Sequence, residues 1–307
     1  MEKKNEIYRV ESITEAFASL GLPKPVHPLI GLIDSAAIQL PCIDVPSPHV
    51  LNFYKISYRE KMSGKMKYGQ GYYDFDEGGL MFASPNQVVG SYEDRQMNSI
   101  GLGFALLVHP DFFLGYPLAK KIKQYGFFSY ATNEALHLSD TEKSTILSIF
   151  RFMEEEMKNR IDDFSQDVMI AQIELLLNYA NRFYKRQFIT RKAANNDVLQ
   201  KMETLLDDYF NTESSLQNGI PSVQYFAGKL NISASYLGDM LRTLTGQNAQ
   251  QLIHHKLVEK AKEILSTSNA SVAEIAYQLG FEHPQSFSRL FKAKTNLSPQ
   301  EFRASFN

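Results

Sequence analysis

The feature that most constrains this chain is an internal repeat near its C-terminus. VQYFAGKLNIS, starting at Val223, aligns with VAEIAYQLGFE, starting at Val272, at an offset of 49 residues. Phe226, Ala227, Leu230, Asn231 and Ile232 fall opposite Ile275, Ala276, Leu279, Gly280 and Phe281. A small Ala lets two helices approach closely, and the Asn or Gly that follows four residues later suits a left-handed turn. Each half therefore reads as helix, tight turn, helix.

The second helix of each half follows at an offset of 50. Ser233 is placed to cap the first, with Leu237, Met240, Leu241 and Leu244 pointing inward; Phe287, Leu290 and Phe291 do so in the second. Thr245-Gly246 and Thr295-Asn296 end both helices in register, Asn being a permitted but weaker stop than Gly. Ser271 and Glu274 form a capping box for the second unit. Between the units, Ala249 to Leu265 reads as one continuous helix, with a box at Asn248 and Gln251 and an apolar stripe of Leu252, Ile253, Leu257, Ala261, Ile264 and Leu265.

The outward faces match as well. Ser235, Asp239 and Arg242 are spaced i, i+4, i+7, and so are Gln285, Arg289 and Lys292. Gln can read adenine bidentately, Arg can read guanine, and a carboxylate can accept from cytosine N4. Lys292 and Lys294 suit phosphates, which position without specifying sequence. An outward polar face is ordinarily just solvated, but two matched triplets on two matched units favour base reading. The rigid connecting helix would then set the two reading helices about one DNA turn, ~34 Å, apart. The charge agrees weakly. The whole chain carries −2, whereas from Pro221 onward nine basic residues face six acidic ones, giving +3 there and −5 elsewhere.

The stretch IAYQLGFEHPQSFSRLFKAKTNLSPQEFR, Ile275 to Arg303, closely resembles the C-terminal signature of AraC/XylS-type transcription regulators. The resemblance implies a domain of two helix-turn-helix units bridged by a long helix, with both reading helices in successive major grooves of double-stranded DNA, and RNA polymerase as a partner. Carried over residue by residue, it assigns DNA contacts to Ser235, Tyr236, Asp239 and Arg242 in the first unit. In the second it assigns them to Gln285, Ser286 and Arg289, with Lys292 toward the backbone. Ser298-Pro299-Gln300-Glu301 matches the start of the final helix, a capping box with Pro in the first turn. Two departures stand out: Asn296 replaces the usual Gly, and Asp239 puts an acid where phosphates would repel it.

The front of the chain has a different rhythm. Pro23, Pro25, Pro28, Pro41, Pro46, Pro48, Gly78, Gly79 and Pro85 interrupt short strand-like runs at Val50–Tyr58, Tyr72–Phe75, Leu80–Ala83 and Ile100–Val108. This predicts a small β-barrel or sandwich up to about residue 111. Tyr72 to Gln87 resembles, more loosely, the cupin-like sensor domains of the same family, which implies a small-molecule effector. Two amphipathic helices follow. The first is boxed by Ser139 and Glu142 and carries Ile146, Ile149, Phe150, Met153 and Met157. The second, Ser165 to Gln187, has a broad stripe of Ile170, Ile173, Leu176, Leu177, Ala180, Phe183 and Tyr184; the pair either caps the β-domain or forms a homodimer interface, and the width of the stripe favours the interface. Thr190 to Asp197 is short and polar and reads as a linker, and Asn211 to Pro221 as a loop. The expected fold class is thus α+β: residues 1–189 sense and dimerise, 190–197 link, and 198–307 form an all-α DNA-binding domain.

Other chemistries find little support in the sequence. There is one cysteine, Cys42, which excludes disulfide frameworks and Cys-based zinc sites. His27, His49, His109 and His137 are scattered with no H-x-H pair, so no metal or other cofactor is expected. No nucleophile elbow or phosphate loop suggests an enzyme, and Gly69-Gln70-Gly71 reads as a hairpin turn. No secretory or membrane-spanning run is present, so a cytoplasmic setting is expected. Two alternatives remain open at this point: a regulator controlled by a protein partner, and an enzyme domain fused to a DNA-binding tail.

Overall fold

A computed structural model describes residues 8–38, 49–60, 65–68, 71–74, 78–89, 102–131, 134–159, 162–212 and 214–305. Cys42, Gly69, Gln70 and Ile100 lie outside the described residues. The chain divides into two compact units, Met1–Gln187 and Phe188–Asn307.

The first unit is mixed. Strand β1 (Tyr8–Val10) leads into helix α1 (Ile13–Ser19), which Ser12 caps by accepting from the Glu15 N–H. Strands β2 (Ile30–Asp34), β3 (His49–Leu51), β4 (Tyr54–Arg59), β5 (Lys65–Tyr68), β6 (Gly71–Asp74), β7 (Gly79–Ala83), β8 (Val88–Val89) and β9 (Gly103–Val108) follow. Beyond the short helix α2 (Leu118–Lys121) comes the edge strand β10 (Leu136–His137). Five strands pair in the order β10-β7-β4-β9-β2, three in the order β1-β3-β8, and β5 with β6 as a hairpin. Among the described residues these three sheets do not close into one barrel, so the cupin-like barrel expected from the sequence is replaced by separate sheets.

Both faces of the five-stranded sheet are covered, which is why its strands show little alternation. On one face Tyr54, Ile56 and Tyr58 stand beside Val108, Leu106 and Phe104 and beside Phe82 and Leu80. Aromatic packing holds this face: Phe104 stacks on Phe150, and Phe82 meets Phe127 and Phe128. The other face looks toward α1 and the smaller sheet, where Val10, Ile13, Phe17, Ile33, Leu51 and Leu107 form one buried cluster.

Helix α3 (Asp140–Lys158) and helix α4 (Ser165–Thr190), as far as Gln187, complete the unit, α3 entered through the Ser139–Glu142 capping box. Arg186, late in α4, grips Glu142 in the first turn of α3 at 2.5 and 3.0 Å, so the helices run antiparallel. Arg186 also donates to the His137 carbonyl at 2.7 Å, and the Gln187 side chain accepts from the His137 N–H at 2.8 Å. These bonds satisfy an otherwise open sheet edge. The stripe expected to dimerise is covered within its own unit: Ile170, Ile173, Leu176, Leu177, Ala180, Phe183 and Tyr184 are all buried. Its breadth belongs to a covered face, with Tyr184 packed against Phe82 of β7 and stacked on Phe127. The apolar residues left exposed lie on the opposite side, with Phe164 70% and Leu175 45% accessible and Val168 between them.

The second unit is helical: α5 (Lys192–Asn211), α6 (Ser214–Asn218), α7 (Val223–Leu230), α8 (Ala234–Thr245), α9 (Ala249–Thr267), α10 (Val272–Gln278), α11 (Pro284–Thr295) and α12 (Pro299–Ala304). The Thr190–Asp197 stretch expected as a linker is helical from Lys192, and the expected Asn211–Pro221 loop contains α6. The loop reading failed because α6 is stabilised from outside. Ser215, 2% accessible, donates its hydroxyl to the Gln278 carbonyl at 2.7 Å, and Tyr209 bonds the Gly219 carbonyl at 3.0 Å. Gly280 has φ +87, and a Cβ there would meet the Gly219 carbonyl carbon at 2.5 Å. Asn231, its counterpart in the first unit, holds φ +55. In a fragment of residues 188–307, Asn231→Ala should cost about 1 kcal/mol from the left-handed backbone alone. Gly280→Ala adds the overlap with Gly219 and should cost about 2–5 kcal/mol. Equal urea midpoints for the two variants would contradict the packing described.

Candidate nucleic-acid interface

The repeat seen in the sequence persists in many of the caps, although α11, entered at His283, has no side-chain cap. Ser222 caps α7 and Ser233 caps α8, each accepting an N–H three residues on. Ser271 and Ser298 do the same for α10 and α12, completing reciprocal boxes with Glu274 and Glu301. These backbone and hydroxyl bonds hold the Glu274 and Glu301 carboxyls below the usual carboxylate range. At the far ends, Gly246 (φ 74) and Asn296 (φ 63) both turn left-handed, and each N–H bonds the carbonyl four residues back. Thr245 and Thr295 each donate to the carbonyl four residues back at 2.8 Å. The Asn296 departure is therefore conservative, since Asn tolerates this conformation better than most residues.

The helix α9 joins the units. It starts at the Asn248–Gln251 box and buries Ala249, Ile253, Leu257, Val258, Ala261 and Leu265. It touches α5, α8, α10, α11 and α12. Leu252 and Ile264, assigned to its stripe from sequence, are only half-buried. Its last turn is closed by Arg303 of α12, which donates to the Ala270 carbonyl at 2.6 Å and the Leu265 carbonyl at 3.4 Å. This role of Arg303 was not legible in the sequence, because it depends on α12 folding back onto α9.

The outward faces differ in openness. On α11, Gln285, Ser286, Arg289, Lys292 and Lys294 are all exposed. Gln285, Arg289 and Lys292 share one stripe, while Lys294 points away from it by helical geometry. Its charge instead acts on His254 of α9, whose imidazole is lowered first by burial and then by Lys294. On α8, Arg242 is exposed, whereas Ser235 and Asp239 are half-buried. Arg242 pairs with Asp239 at 3.4 Å. The acid that looked repulsive toward phosphates thus holds a cation on the same face. Gly238 lies beside this stripe with nothing within 4 Å of an added Cβ, leaving space that the sequence reading did not register.

Tyr236 is a correction. It was carried over as a DNA contact, yet it is fully buried and meets Phe188 edge-on at 5.1 Å. At the third position of α8 it faces inward with Leu237 and Met240. Phe188 was not recognisable from sequence as its neighbour, because that contact forms only in the tertiary fold.

Residues 226–305 match the family model described as "Helix-turn-helix domain". The chain is 28% identical over 149 residues to the HTH-type transcriptional activator RhaS of Citrobacter koseri, a match covering 48% of this chain and 51% of that protein. The chain thus spans about half the length of the curated relatives it matches. Among solved structures, the C-terminal domain of the two-component response regulator yesN from Fusobacterium nucleatum is 25% identical, with a TM-score of 0.31, 35% of this chain and 98% of that chain covered. ToxT from Vibrio cholerae is 16% identical with a TM-score of 0.30, over 83% of this chain and 91% of that chain. The C-terminal region of the protein is an AraC-type helix-turn-helix domain.

Tyr236 makes the distinction between core and contact testable. Tyr236→Ala should destabilise the 188–307 fragment by about 3–5 kcal/mol, the usual cost of emptying a buried aromatic site. Tyr236→Phe should leave the base preference on duplex DNA unchanged. A changed preference in Tyr236→Phe, read by competition binding, would restore Tyr236 to the reading face.

Proposed function

We propose that the protein is a sequence-specific transcription regulator that reads duplex DNA through α8 and α11 and is tuned by its N-terminal unit. The observation that carries this is the exposed Gln285–Arg289–Lys292 stripe on the second of two matched helix-turn-helix units. Arg289, with its planar fork, suits guanine O6 and N7, and a good bidentate pair discriminates by about 1–3 kcal/mol. Ser235 and Arg242 serve the first half-site, Arg242 held in place by Asp239. Lys292 and Ser286 meet the backbone. The relative named a transcriptional activator supports regulation of this kind; the downstream partner in this proposal is RNA polymerase. In the N-terminal unit we assign small-molecule sensing to the layered sheets. We assign homodimerisation to the outer side of α4, where Phe164, Val168 and Leu175 stand exposed. Phe164, just before the helix, and Val168 and Leu175 on it are spaced i, i+4, i+11, which places them on one side of the helix.

Arg289→Ala should lower affinity for the preferred site and flatten preference at one base position. Lys292→Ala should weaken all sequences about equally and reduce the salt slope by about one. Quantitative binding to specific and random duplexes distinguishes the two. If Arg289→Ala weakens both duplexes by the same factor, Arg289 is a phosphate clamp and base reading by this face is wrong.

The dimer assignment has its own test. Leu175→Glu should yield a folded monomer in sedimentation, whereas Leu176→Glu, one residue away but buried, should fail to fold stably. A Leu175→Glu protein that stays dimeric places the interface elsewhere.

A further inference from the structure

Tyr236 lies between Ser235 and Asp239 in α8, yet its ring points to the other side of the helix, with Leu237 and Met240. The ring it meets there, Phe188, belongs to the last turn of α4 and is buried. Phe188 is also the first residue of the second unit. Its carbonyl is one of the last four of α4, which have no partner within the helix. Asn195, fully buried, supplies one by donating its side-chain amide to that carbonyl at 2.7 Å. Phe188 is therefore fixed twice, by its ring against α8 and by its backbone on Asn195.

The two residues before Phe188 are fixed as firmly to the first unit. Gln187, buried, accepts from the His137 N–H at 2.8 Å and donates to the Ala135 carbonyl at 3.3 Å. Arg186 holds Glu142 and the His137 carbonyl. Three consecutive residues of one helix thus bear first on the edge strand β10 and then on α8. A helix has a fixed rise of 1.5 Å per residue, so a shift of α4 at Gln187 is delivered to Phe188. Close-packed side chains transmit such a shift rather than absorb it.

We propose that Phe188 is a positioning residue for DNA reading: it sets the pose in which α8 presents Ser235 and Arg242, and through α4 it makes that pose depend on the N-terminal unit. Hydrogen bonds weaken steeply as their geometry degrades, so a small tilt of α8 costs base preference at its own half-site. Helix α11 is held by α9, α10 and α12, and its half-site should be indifferent to Phe188. The inference rests on the reading of DNA by α8 and α11 and adds the route by which that reading is regulated.

The test uses the full-length chain and duplexes scrambled in one or the other preferred segment. Discrimination at each segment is the ratio of affinities for the preferred and the scrambled duplex, measured on the same protein. An unfolded fraction lowers both affinities by one factor and cancels from this ratio, so a merely structural role would not move it. Arg242→Ala identifies the segment read by α8. Phe188→Ala should reduce discrimination there about tenfold, within the range that base contacts supply, and leave the other segment unchanged. Phe188→Leu, which keeps an apolar side chain of similar reach, should restore most of it. Asn195→Ala should act in the same direction and takes the place of Phe188→Ala if that variant does not fold. Arg186→Met, which releases Glu142 and His137, should change discrimination at the α8 segment alone. If Arg242→Ala flattens neither segment, reading by α8 is wrong and the inference falls with it. If Arg242→Ala flattens one segment but the Phe188 and Asn195 variants change both ratios equally or neither, α8 reads DNA and Phe188 is only core. If Arg186→Met leaves both ratios unchanged, the dependence on the N-terminal unit is overturned.

Discussion

The C-terminal unit depends on one shared core, the buried side of α9. Two helix-turn-helix units of this size have little apolar surface of their own, since α7 buries Phe226 and Ala227 and α10 buries Ile275 and Ala276. Each becomes stable by packing against the same helix, whose Ile253, Leu257, Val258, Ala261 and Leu265 serve α5, α8, α10, α11 and α12 together. A helix holds its own length at 1.5 Å per residue, so a shared helical core also fixes the separation of the reading helices. If α8 and α11 read DNA as proposed, stability and register on DNA come from the same contacts. Arg303, by closing the last turn of α9, extends that rigidity to the chain's final helix.

How much of this was legible in the sequence follows from the range of each interaction. Capping boxes, left-handed stops and the spacing of outward residues are local, and they stand where the residues Ser271, Asn248, Gly246 and Asn296 place them. What depends on contacts distant in sequence was read less well. Tyr236 looks polar and exposed by pattern but is claimed by Phe188 of α4. The Asn211–Pro221 segment looks like a loop until Ser215 finds the Gln278 carbonyl, 63 residues away. The apolar stripe of α4 correctly marked a helix, but breadth alone could not say whether the second flank faces a partner or the protein's own sheet.

The N-terminal unit follows a different logic. A sheet covered on both faces hides its strand period, so the sequence showed strands without saying which face met what. The structure separates the two faces by chemistry: an aromatic side built on Phe82, Phe104, Phe127 and Phe150, and a side where an apolar cluster gives way to Lys55 and Ser57. An aromatic layer is well suited to holding a sheet against its helices.

The central claim is that two reading helices, held apart by α9, address successive major grooves. Selection of preferred duplexes from a random library by the 188–307 fragment tests it most directly. The account predicts two short preferred segments whose centres lie about one helical turn, roughly 10 base pairs, apart. Either a single segment, or two segments whose spacing varies freely among the selected sites, would contradict it.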